Sequence, residues 1–192
     1  GPREDMRLLS DKILIVPVLG DDGKAMSLQQ IMEDGQKRFL TGAQVKGGFY
    51  PIKGDDGPLC VCEGVATGLS INAATGHTVL CAFNAGNLKA VAEMAKVRYP
   101  QRSIILAGDD DIQTNGNPGR TKAEEAALAV GGKVALPSFR NSTGRTDFND
   151  MHQEQGLEAV TAAFTEALET DHPKGEKHQK GIVAFDIEHF LT

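Results

Sequence analysis

Three acidic positions in the middle of the chain stand where a metal ion could be held. Glu63 directly follows the apolar run Leu59-Cys60-Val61-Cys62 and is followed by Gly64 and a helical pattern. Asp109-Asp110-Asp111 follows a second apolar run, residues 103–107. In parallel α/β sheets, functional groups gather at the carboxyl ends of strands, where loops meet helix N-termini. Alternate residues of an extended or tightly turned stretch point the same way, so Asp109 and Asp111 can converge while Asp110 is a bystander or an outer group. Carboxylates converging from neighbouring strand ends repel one another unless a cation lies between them. A hard divalent ion with oxygen ligands, Mg²⁺ above all, suits that place. Each feature also has a purely structural explanation. A glutamate in the first turn of a helix is favoured by the helix dipole, and an aspartate run after a strand is often a solvated turn or cap. Their occurrence together, at the ends of two strands of one sheet, favours a functional site.

The elements that must position these groups are legible in the hydrophobic rhythm. Strand patterns at residues 59–62, 78–83, 103–107 and 133–136 alternate with helical patterns at 65–74, 88–98 and 118–130. Short apolar strands alternating with helices predict a parallel sheet covered on both faces. Asn117 reads as an N-cap, with Pro118 just inside the helix. The part before residue 58 reads differently. Residues 13–16 and 25–31 are strand patterns separated by the turn Asp21-Asp22-Gly23-Lys24; Asp34-Gly35 is a hairpin signal leading into Lys37-Arg38-Phe39-Leu40. Gly42, Gly47 and Gly48 mark a loop before Phe49-Tyr50-Pro51-Ile52. From Gln36 to Lys53 there are four cations, Lys37, Arg38, Lys46 and Lys53, and no acid. After Pro137 a polar loop over 138–150 precedes a helix over 154–169, with Leu157, Val160, Phe164 and Leu168 on one stripe. The expected organisation is a β-rich basic subdomain over 3–57, an α/β domain over 58–150, a C-terminal helix over 151–170, and a linker with an apolar tail over 171–192.

Composition bounds the function. The 192 residues carry 20 Lys+Arg and 26 Asp+Glu, a net charge of −6, with 40% hydrophobic residues and no Trp. That is a soluble, globular composition, and no apolar run approaches the roughly 18 residues a membrane helix needs. Overall acidity argues against a nucleic-acid partner, but the charge is uneven. Residues 1–57 hold 8 basic and 9 acidic groups, 58–150 hold 9 and 9, and 151–192 hold 3 and 8. Nearly all the excess acid is thus C-terminal. Cys60, Cys62 and Cys81 lie in apolar runs without the C-x-x-C spacing of a zinc ribbon. They read as buried, reduced thiols of a cytoplasmic protein. There is no P-loop lysine motif, no G-x-S-x-G or Cys/His nucleophile arrangement, and no ligand spacing among the five histidines. Tyr50 and Tyr99 sit where packing accounts for them, which excludes a tyrosine-dependent topoisomerase.

The segment Cys62-Glu63-Gly64-Val65-Ala66-Thr67-Gly68-Leu69-Ser70 resembles the glutamate motif of the Toprim domain, and Ile104-Ile105-Leu106-Ala107-Gly108-Asp109-Asp110-Asp111 resembles its D-x-D motif. Asn84-Ala85-Gly86-Asn87 falls where that family places a Gly-containing loop near the metals. Asp147-Phe148-Asn149-Asp150 resembles a further acidic motif after the last core strand. Residues 112–118 look like a longer loop than many members have. The likeness covers roughly residues 12–165 and extends to the small β-rich subdomain that precedes Toprim in primases, above all those of conjugative plasmids and phages of the TraC-like kind.

That resemblance implies a Toprim-like fold and a DNA primase catalytic core that synthesises short RNA primers on single-stranded DNA from nucleoside triphosphates with Mg²⁺ or Mn²⁺. It implies Glu63, Asp109 and Asp111 as catalytic metal ligands. Asp147 and Asp150 would serve a further metal or its surroundings, unless they merely cap the helix that starts near Met151. Lys37, Arg38 and Lys46, with Asn84 and Asn87, would contact nucleotide or DNA; a solvated hairpin is the alternative for the cations. Two rivals remain open: a Toprim nuclease using the same acids, and a non-catalytic DNA- or partner-binding module of a replication complex. The apolar tail could dock on its own domain or bind a replicative helicase.

Overall fold

The computed structural model describes residues 6–10, 12–140 and 144–170; the expected linker and tail, with any helicase contact through them, lie outside these residues. Among the described residues, nine strands form two sheets and four α-helices accompany them. The first is an antiparallel meander, β1 (Arg7–Ser10), β2 (Ile13–Leu19), β3 (Ala25–Met32) and β4 (Lys37–Phe39), in that spatial order. Its β2–β3 and β3–β4 hairpins use the same chemistry. In each, an aspartate oxygen, from Asp22 or Asp34, accepts the backbone N–H two residues on (3.0 Å in both), and the glycine between takes a positive φ, +77° at Gly23 and +82° at Gly35. Aspartate supplies the side-chain acceptor and glycine the left-handed backbone that such turns require.

The second sheet has the order β5-β7-β6-β8-β9, with β5 (Tyr50–Ile52), β6 (Asp55–Cys62), β7 (His77–Cys81), β8 (Ile104–Ala107) and β9 (Lys133–Ala135). β6 to β9 are parallel, and β5 runs antiparallel to β7 on the edge. The 49–52 strand therefore joins the second sheet, and the 57/58 division runs through β6. Pro51, which lacks an N–H, is suited to such an edge. Helices α1 (Val65–Thr75), α2 (Leu88–Arg98), α3 (Pro118–Val130) and α4 (Phe148–Glu169) cover this sheet.

Strand alternation sorts the core into two layers. Cys60, Cys62, Val79, Cys81, Ile105 and Ala107 face α1, α4 and the front sheet. Leu59, Val61, Leu80, Ile104 and Leu106 face α2 and α3. The three cysteines are buried and free. The sequence predicts the last helix from 154, yet α4 begins at Phe148, because Asp147 and Asp150 close a capping box there; Gly156 (φ 82°) interrupts it. Phe148 and Phe164 meet with ring centroids 5.0 Å apart and pin both halves to the sheet. Among the described residues no helix is long and apolar enough to cross a membrane.

Candidate active site

Both acidic motifs stand at the carboxyl end of the parallel sheet. Glu63 leaves β6. Its carbonyl accepts the Phe83 N–H (2.7 Å), and its carboxylate accepts the N–H of Ala85, from the single 3₁₀ turn Ala85–Asn87 that follows β7. Phe83 holds φ +70° to make that crossing, an uncommon conformation for a bulky side chain. Its ring meets Phe39 of β4 edge-on, with centroids 5.8 Å apart and planes at 82°. This contact carries the edge of the front sheet over the end of β6. Lys37 shares a face of β4 with Phe39 by strand alternation, and a Cβ placed on Gly64 would lie 3.8 Å from the Lys37 ammonium. Lys37 thus stands beside Glu63, although the two are on different sheets.

Asp109 follows β8 across a tight crossing with α3. A Cβ on Gly108 would come within 2.7 Å of Ala123, and one on Gly119 within 2.6 Å of the Asp109 carbonyl. Only glycine lets helix and loop approach so closely. Asp110 donates its N–H to the Thr146 carbonyl (2.7 Å), which ties the acidic loop to the start of α4. Asp147 is the N-cap of α4: its Oδ1 accepts the Asp150 N–H (2.9 Å), and its Oδ2 accepts the Thr67 hydroxyl (2.9 Å). Asp150 completes the box by accepting the N–H of Thr146 (3.0 Å) and of Asp147 (3.5 Å).

The charges of Glu63, Asp109, Asp111 and Asp147 act on one another. Burial, then the Glu63, Asp147 and Asp111 charges, push the Asp109 carboxyl up to about 8, against a downward pull from Lys37. Burial and the Asp111 charge likewise raise Glu63, with Asp147 adding to the effect, while the Ala85 N–H and Lys37 oppose it. Among the described residues, Asp109 Oδ1 is the buried side-chain oxygen or nitrogen with no hydrogen-bond partner. An orphaned, buried carboxylate oxygen among other carboxylates has the donor chemistry of a hard divalent cation. Among the described residues no three His, Cys, Asp or Glu side chains are drawn together as tightly as a formed metal centre.

The remaining expected site residues separate. Asp150 is engaged in the capping box. Arg38 alternates to the face of β4 opposite Lys37 and donates to the Gln36 side chain (3.1 Å). Lys46 is exposed in the loop after β4, and Asn84 is exposed at the turn beside Glu63. Asn87 is a correction. Expected to face nucleotide or DNA, it is 3% exposed, accepts the Gly47 N–H (2.7 Å) and donates to the carbonyls of Gly48 and Ala82 (2.8 Å each). It is a brace between the 45–48 loop and the sheet. Asn117 is a second correction. It occupies the N-cap position of α3 but makes no side-chain cap, and its amide turns back to the acidic loop. Thr67 was missed: a threonine on a helix carries no mark of a partner 80 residues away.

Residues 58–158 match the Toprim domain family. The chain belongs to the Toprim family. Among curated relatives of this Toprim chain is DNA primase TraC of Escherichia coli, 38% identical over 179 residues, which cover 83% of this chain and 17% of that protein. The chain spans about a sixth of that relative's length. The Toprim fold recurs in the primase fragment of the bacteriophage T7 primase-helicase protein, with a TM-score of 0.57 at 17% identity, covering 85% of this chain and 66% of that one. It also recurs in a chain of the bacteriophage T7 lagging-strand DNA polymerase structure, in which primase domains of two gp4 subunits are bound to an RNA/DNA hybrid and dTTP. There the TM-score is 0.59 at 16% identity, with 82% of this chain and 80% of that one covered.

Proposed function

We propose that this chain is the catalytic core of a plasmid- or phage-type DNA primase, joining ribonucleotides on a single-stranded DNA template. The observation that carries the reading is the half-buried, mutually repelling group of Glu63, Asp109, Asp111 and Asp147, with Lys37 of the first sheet set beside it. A divalent cation, Mg²⁺ or Mn²⁺, held by Glu63, Asp109 and Asp111 would make the primer 3′-hydroxyl a better nucleophile and offset charge on the departing pyrophosphate. The protein's own groups do the rest. Asp147, fixed by Thr67 and by the α4 backbone, holds a fourth negative charge against the group. Lys37 is free to meet a triphosphate or template phosphate at the mouth of the site. The exposed Lys46 and Asn84 extend that polar rim, and Arg38, on the other face of β4, serves template backbone away from the reacting atoms.

The relatives named DNA primase and the primase-domain fold support this reading. The test is primer synthesis on random single-stranded templates with nucleoside triphosphates and Mg²⁺ or Mn²⁺, alongside Glu63→Gln and Asp109→Asn. Synthesis by the parent chain and its loss in both variants supports the assignment; undiminished synthesis in either variant overturns it. Incubation with labelled DNA without nucleotides separates hydrolysis from synthesis.

A further inference from the structure

The loop between β8 and α3 is held by a residue whose conformation and bonding are both unusual. Asn117 sits at φ 41°, ψ 70°, in the left-handed region, directly after Gly116 at φ +80°. Asparagine tolerates that region better than most residues but is still placed there at some strain. At a helix N-cap its side chain would ordinarily accept an N–H of the first turn. Here it does neither that nor face solvent. Its Oδ1 accepts the Asp111 N–H (2.9 Å), and its Nδ2 donates to Asp110 Oδ1 (2.6 Å). Two successive turns close the same loop: the Thr114 N–H donates to the Asp111 carbonyl (2.8 Å), and the Asn117 N–H donates to the Thr114 carbonyl (2.9 Å). Asp110 is held from the other side by Thr146 (2.7 Å).

We propose that Asn117 is a positioning residue for the metal site: its amide clamps Asp110 away from the centre and fixes the backbone of Asp111 so that the Asp111 carboxylate faces Glu63. This rests on the metal-dependent reading above and adds to it the device by which a long loop presents an ordered ligand. Asp110 accepts a neutral donor and Asp111 is left for the centre, which explains how three successive aspartates divide their work. Unclamped, residues 110–116 would offer two carboxylates of interchangeable orientation. Outer-shell partners that orient ligands typically change metal affinity by roughly 10–100-fold when removed.

The decisive variant is Asn117→Gly, since glycine accepts the left-handed backbone without strain and removes only the amide. Mn²⁺ binding is followed by electron paramagnetic resonance and calorimetry on the full chain, and melting is recorded in EDTA. The cation dependence of primer synthesis is then split into half-saturating concentration and rate at saturation. The expected result is a melting temperature in EDTA close to that of the parent, Mn²⁺ affinity at least about tenfold weaker, and a rate restored toward the parent's at saturating Mn²⁺. Mn²⁺ affinity unchanged in Asn117→Gly while the parent binds tightly overturns the inference alone. No Mn²⁺ binding by the parent overturns the metal reading and the inference with it.

Discussion

Replacing Asp109 by asparagine is expected to stabilise the protein in the absence of divalent ions, and by an amount that grows with pH. The carboxyl has an ordinary value of 3.8 and stands at about 8 in the folded chain, raised by burial and by Glu63, Asp147 and Asp111. Below pH 4 both folded and unfolded chains carry the proton, and the group has no effect on stability. As pH rises from 4 toward 8, the unfolded chain releases the proton and the folded chain keeps it, so stability falls; above 8 both have released it and the loss levels off. At 1.36 kcal/mol per unit, the roughly three units between 3.8 and pH 7 amount to about 4 kcal/mol, against about 1.6 kcal/mol at pH 5. Asparagine at 109 removes this dependence while keeping the shape. For a chain of this size, where 1 kcal/mol corresponds to roughly 2–4 °C, the melting temperature of Asp109→Asn in EDTA should gain roughly 5–10 °C on the parent between pH 5 and pH 7. Mg²⁺ should raise the parent's melting temperature most at high pH, because only the deprotonated group binds it, and should leave the variant nearly unmoved. Calorimetric melting of both proteins at pH 5, 6, 7 and 8, with and without Mg²⁺, checks this. A constant gap across pH, or one that narrows, would refute the placement of a buried, unpaired charge at 109.

Glu63→Gln should fold as the parent does, judged by circular dichroism, and lose primer synthesis by more than the roughly 10–100-fold typical of an outer-shell change. Lys37→Ala should keep Mn²⁺ binding but raise the KM for nucleoside triphosphate, since it removes a cation beside the acids and no ligand; steady-state kinetics at saturating metal will show it. Thr67→Val removes the hydroxyl that holds Asp147 Oδ2 without changing side-chain volume, and calorimetry should find Mn²⁺ affinity reduced by up to about tenfold. Asn87→Ala strands the Gly47 N–H and the Gly48 and Ala82 carbonyls. Urea unfolding should show a loss of about 2–4 kcal/mol, with Mn²⁺ binding to the folded protein unchanged.

Local signals in the chain carried much of the frame. The bounds 88–98 and 118–130 coincide with α2 and α3, because apolar periodicity, Pro118 and the glycines after Val130 are all local. The standing of Glu63 and Asp109 at strand ends was legible for the same reason: each directly follows a short apolar run. What escaped depends on partners distant in sequence. Asn87 looks like a loop asparagine until the carbonyls of Gly48 and Ala82 converge on it. Asn117 looks like a cap until Asp110 and Asp111 fold back. The start of α4 was hidden because its capping box uses aspartate at the third helical position, where glutamate or glutamine is the usual signal. Lys37 was a candidate from the absence of acids around it, but its place beside Glu63 follows from the Phe39–Phe83 contact, which joins two sheets.

The dependence of Asp147 on α4 has a consequence for how the site is completed as the chain is made. Asp147 lies 84 positions after Glu63 in the 192-residue chain. The helix that holds it is anchored by Phe148, Val160 and Phe164, so its hold depends on residues made later still. A nascent chain emerging from its N-terminus has both sheets and three helices available before this last helix can seat. Until then the Thr67 hydroxyl has no acceptor at 147, and Asp110 has no Thr146 carbonyl to meet. The acidic group therefore passes through a three-carboxylate stage during synthesis and gains its fourth member only when the final helix docks. Any fragment that begins before Glu63 and ends between Asp111 and Phe164 would carry every residue of the two acidic motifs and still lack a properly closed site.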